Sequence, residues 1–153
     1  VVLADELETV LWPEPPDGDA ESWQMRKAAW ESPHCLLGGS DAGAHLDRMC
    51  GAPYTTDFIA DCLRGKMLWP VEKAIQALSE APARLFGLRD RGHVAAGMHA
   101  DLVLFDPKTV IDHSTFEQPR ALATGIAKVW VNGGLVWTGI APGPERPGRV
   151  LTR

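Results

Sequence analysis

A chain of 153 residues is long enough for one ordinary domain with a real core. Apolar residues make up 45% and charged residues 23%, the balance of a globular protein and not of a disordered one. The net charge of -5, from 15 basic and 20 acidic residues, provides no basic face for nucleic acid.

The chain opens Val1-Val2-Leu3, has its first methionine at Met25, and places Leu3, Leu7, Val10 and Leu11 at helical spacing. A start inside an element is expected of a piece of a longer protein. Trp12-Pro13-Glu14-Pro15-Pro16-Asp17-Gly18 is predicted to be a loop. Asp19 is placed to cap a helix running to about Ser32, with Pro33 at its end.

The apolar run His34-Cys35-Leu36-Leu37-Gly38-Gly39 predicts a buried strand of a parallel sheet. Polar residues from Ser40 to His45 follow it. Helix, buried strand, then polar residues at the strand's end is the order of an α/β barrel, which builds its active site there. Thr56 is expected to cap a helix with Phe58, Ile59, Cys62 and Leu63 on one face, ending near Gly65. Pro70 opens another helix, with Val71, Ala74, Ile75 and Leu78 on one stripe. Pro82 starts a further short helical turn that Gly87 ends.

Past Gly87 alternation replaces helical spacing. Ala100 to Phe105 predicts a strand closed by Asp106-Pro107. Ile126 to Val131 and Leu135 to Trp137 flank Asn132-Gly133-Gly134, read as a three-residue hairpin loop. The proline- and glycine-rich tail is expected to be extended or loose. The expected division is therefore residues 1–88, helical with one buried strand, and residues 89–153, rich in β structure. These are one architecture cut short or two small domains.

Three cysteines, Cys35, Cys50 and Cys62, with no CxxC spacing argue against a disulfide scaffold or a zinc knuckle. They read as reduced thiols of a cytoplasmic protein. No apolar run approaches the ~20 residues that span a bilayer, and no signal peptide is visible. Trp12, Trp23, Trp30 and Trp69 read as packing anchors.

Asp41 leads the chemical candidates. A carboxylate just past an apolar strand can take a proton from an attacking water and return it to a leaving amine. The same residue is equally suited to capping the next turn. His45, four residues on, could face the same pocket or be a plain loop residue. Neither an HxH pair nor an HExxH run occurs among His34, His45, His93, His99 and His113. A hydrolytic zinc usually takes three protein ligands, and Asp41 with His45 supplies at most two.

Two stretches together resemble a known family. Gly38-Gly39-Ser40-Asp41-Ala42-Gly43-Ala44-His45-Leu46 is similar to the strand-eight motif of the amidohydrolase superfamily, in the variant of N-acyl-D-amino-acid deacylases (D-aminoacylase-like enzymes). Pro82-Ala83-Arg84-Leu85-Phe86-Gly87-Leu88, Asp90-Arg91-Gly92 and Ala100-Asp101-Leu102-Val103-Leu104-Phe105-Asp106 resemble the passage from barrel to small β-sandwich in those enzymes. Gly125-Ile126 and Val129-Trp130-Val131-Asn132-Gly133 look like closing strands of that sandwich. The resemblance runs from Asp5 to Val150. One departure is Ala96, where the family often has proline before Gly97.

The resemblance implies an α/β fold: the C-terminal part of a (β/α)8 metal-dependent hydrolase barrel, followed by the C-terminal strands of a small β-sandwich. It implies a zinc enzyme of ordinary barrel size, ~250 residues or more, that hydrolyses non-peptide amide bonds of small N-acyl-D-amino acids. Asp41 becomes the family's strand-eight aspartate, general acid/base and metal contact, with Ser40 and His45 touching substrate. The remaining metal ligands lie upstream and are absent from this sequence. This chain alone is then expected to be inactive, to hold no zinc stably, and to self-associate through strand edges that lack neighbours. The competing expectations are a hydantoinase or dihydroorotase relative, against which the Ala-Gly-Ala-His run speaks, and a non-catalytic interaction module.

Overall fold

The computed structural model describes residues 18–40, 52, 54–115 and 117–151. The chain divides into two compact units, one ending at Ser32 and one beginning at Pro33. In the first unit, helix α1 spans Ala20–Trp30. Asp19 caps it as expected: extended backbone turns its carboxylate onto the Ser22 amide at 2.7 Å. That bond to the Ser22 amide, first among its contacts, holds the Asp19 carboxyl below its ordinary pKa. Trp23 and Trp30 pack together with ring centroids 6.2 Å apart, and the Arg26 guanidinium lies over the Trp23 ring at 4.4 Å. The predicted helix at Leu3 to Leu11 and the loop from Trp12 through Asp17 lie outside the described residues.

In the second unit, residues 35–40 form no strand. A parallel strand takes every ladder hydrogen bond from neighbouring strands. The apolar run has the composition of a strand, but among the described residues no strand pairs with it.

The helices come next. Helix α2 is Tyr54–Ala60, so Thr56 sits inside its first turn and is not its cap. It passes into a wider π turn over Asp61–Gly65, a feature the periodicity did not announce. Helix α3 is Val71–Leu78, with Pro70 in the capping position, where its missing amide costs nothing. Helix α4 is Glu80–Leu85, two residues ahead of Pro82. Gly87 ends it at φ +71. The Leu88 amide reaches Ala83 O at 2.9 Å and the Gly87 amide reaches Arg84 O at 3.1 Å. That pair of bonds is a Schellman ending, which satisfies the last free carbonyls. The core lies among these helices. Ile59, Cys62, Leu68, Trp69, Ala74 and Ala83 are buried, and Phe58 meets Trp69 edge-on at 5.8 Å.

Strands β1 (Leu102–Phe105), β2 (Ile126–Val131) and β3 (Gly134–Trp137) form an antiparallel sheet in the order β1-β2-β3. The hairpin loop is two residues long, Asn132-Gly133, with φ +47 and +82. Both residues at positive φ define the type I′ turn, whose twist matches its strands. Gly134 already pairs with Val131, so it belongs to β3 and not to the loop. The tail is held and not loose. The Gly143 amide bonds Val136 O at 2.8 Å, and Thr138 closes a turn on Ala141.

Arg64 ties the helical part of this unit to the segment that follows β1. Its guanidinium donates to the carbonyls of Pro107 and Val110. Val110 is fully buried. On the sheet, by contrast, Val103 is 57% and Leu104 is 52% exposed on adjacent positions of edge strand β1. Adjacent strand residues point to opposite faces, so both faces are open there.

Candidate functional site

The candidate site begins where the apolar run stops. Gly39 has φ +87, a conformation that glycine adopts without strain. It delivers the chain to Ser40, which is exposed. Asp41 and His45, and Cys50 beyond them, lie outside the described residues, so the structure places only Ser40 of the three predicted site residues.

Two of the other histidines are engaged elsewhere. His99 Nε2 lies 3.2 Å from Asp90 Oδ2, and His113 Nε2 lies 2.9 Å from Thr124 Oγ1, both in the β-rich part. Among the described residues, no group of three or more His, Cys, Asp or Glu side chains could hold a metal ion. The described residues alone therefore do not form a zinc site. Asp57 stands near Asp61 and Asp112. Lost hydration pushes its carboxyl up despite its open position on α2; Asp61 adds to this, Lys66 opposes it and Asp112 adds further. Cys62 is a free, buried thiol whose pKa burial pushes up, a packing residue and not a nucleophile. Cys35 is free and half-buried.

The organised polar network lies beside the hairpin. Arg91 donates through Nη1 to Asp101 and through Nη2 to Asn132 Oδ1 at 2.6 Å. Asp101 Oδ1 accepts the Asn132 amide at 2.7 Å, and Asn132 Nδ2 donates to Pro147 O at 2.7 Å. Four segments are thus pinned at one point: the turn after α4, the start of β1, the hairpin and the tail. Burial alone would raise the Asp101 carboxyl. The Asn132 amide and the Arg91 guanidinium outweigh it and hold the carboxyl below its ordinary range. No motif spacing singles out Arg91, Asp101 or Pro147 as a network. The legible signal was Asn-Gly, which demands positive φ.

The chain belongs to the amidohydrolase family, whose model matches residues 7–137. Its relatives narrow the branch. It is 45% identical over 96 residues to the N-acyl-D-aspartate deacylase of Alcaligenes xylosoxydans xylosoxydans, covering 63% of this chain and 19% of that protein. The crystal structure of a D-aminoacylase matches with a TM-score of 0.59 at 42% identity, over 62% of this chain and 21% of that one. That enzyme has a binuclear metal centre, with one-metal activation and second-metal attenuation. The N-acyl-D-glutamate deacylase of Bordetella bronchiseptica matches with a TM-score of 0.57 at 40% identity, over 63% of this chain and 20% of that one. It was solved with zinc and a phosphonate inhibitor that mimics the reaction's tetrahedral intermediate. This chain spans about a fifth of the length of each. No helix among the described residues is long and apolar enough to cross a membrane.

Proposed function

We propose that this chain is the C-terminal part of a zinc-dependent, cytoplasmic amidohydrolase that cleaves the amide bond of small N-acyl-D-amino acids. The observation that carries the reading is the 45% identity to an N-acyl-D-aspartate deacylase, in a chain whose family model covers residues 7–137. Residues 1–88 then supply the last barrel strand with its flanking helices, and residues 89–153 the closing strands of the sandwich. The run Cys35–Gly39 becomes a strand only when neighbouring strands of the longer protein pair with it.

Asp41 is the general acid/base. It takes a proton from the attacking water and returns it to the leaving amine, which cannot depart as an anion at neutral pH. Ser40 and His45 contact the substrate beside it. Zinc bound in the longer protein would supply Lewis-acid chemistry toward the amide carbonyl and the attacking water; Asp41 would help to hold it, with the other ligands from sequence outside these 153 residues. The isolated chain is inactive for that reason.

The test is hydrolysis of paired N-acetyl-D- and N-acetyl-L-amino acids by the longer protein that carries this sequence. The D-substrates are cleaved preferentially. Asp41→Asn lowers kcat by ~10²–10⁴, the usual contribution of a general acid/base. Unchanged kcat in Asp41→Asn would remove Asp41 from the chemistry. Faster cleavage of hydantoins or dihydroorotate than of N-acyl amino acids would move the enzyme to the cyclic-amide branch.

A further inference from the structure

We draw no further inference here: the strongest candidate, the open apolar faces and outer edge of the three-stranded sheet along Leu102–Phe105, carries nothing because nothing in the structure shows what covers it.

Discussion

Replacing Arg91 by alanine tests whether the polar network beside the hairpin holds the β-rich part together. The Arg91 side chain is only 11% exposed and bonds two acceptors, Asp101 and Asn132 Oδ1. Each hydrogen bond to a charged group contributes ~1.5–3 kcal/mol when shielded from water. Asp101 is 34% exposed, so solvent screens part of that gain. Asp101 also keeps the Asn132 amide after the change. The expected loss is roughly 2 kcal/mol, in the middle of what a half-shielded pair gives. At ~2–4 °C per kcal/mol for a chain of this size, the melting temperature falls by roughly 4–8 °C. Urea unfolding followed by tryptophan fluorescence reads the effect, since Trp130 and Trp137 lie in the sheet. Arg91→Lys recovers less than half, because one ammonium cannot bridge both acceptors with the fork of a guanidinium.

The pH dependence has a definite sign. The folded pKa of Asp101 is lowered. Its contribution is therefore full above the ordinary carboxylate value of about 3.9 and is lost as pH falls through the lowered folded value. The gap between wild type and Arg91→Ala narrows below about pH 4. An Arg91→Ala protein within ~0.5 kcal/mol of wild type at neutral pH, the range of an ordinary surface change, would refute the role given to this network.

Two further outcomes follow. Gly125→Ala destabilises more than Gly87→Ala, although both glycines have positive φ. A Cβ at Gly125 would lie 2.3 Å from Val110 Cα, whereas at Gly87 it would meet nothing within 4 Å. Gly87→Ala suffers only backbone strain of ~1–2 kcal/mol, and equal losses in urea unfolding would contradict the close approach at Val110. The isolated chain is expected to self-associate, because the Cys35–Gly39 run would lack the barrel strands that pair with it in the longer protein. Sedimentation velocity at micromolar concentration reads this, and a clean monomer would count against it.

Elements set by local chemistry were legible in the sequence. Asp19 marked α1 because a cap needs only its next three residues. Asn132-Gly133 marked the hairpin because a type I′ turn needs positive φ twice. Its length was misjudged by one residue, since nothing local tells whether Gly134 pairs. The start of α2 at Tyr54 and the π turn over Asp61–Gly65, which holds the buried Cys62, were not legible, because the spacing of apolar residues does not encode where a helix begins or widens. The run from Cys35 to Gly39 shows the opposite failure. Its composition is that of a buried strand, but strand formation depends on partner strands, and among the described residues none pairs with it. The Arg91 to Asn132 contact joins residues 41 apart, and no motif spacing reports such a pair. Ser40 is the one predicted site residue that the structure describes. Asp41 and His45 rest on the motif and on the family that the comparisons established.

The central claim is that this chain carries a catalytic aspartate without a complete metal site. Zinc per chain, measured by elemental analysis on the purified, chelator-washed 153-residue protein, tests it most directly. The account predicts near-zero zinc and no hydrolysis of N-acetyl-D-amino acids by the same preparation. About one tightly held zinc per chain would contradict it, because a hydrolytic zinc usually needs three protein ligands and this chain would then have to supply them alone.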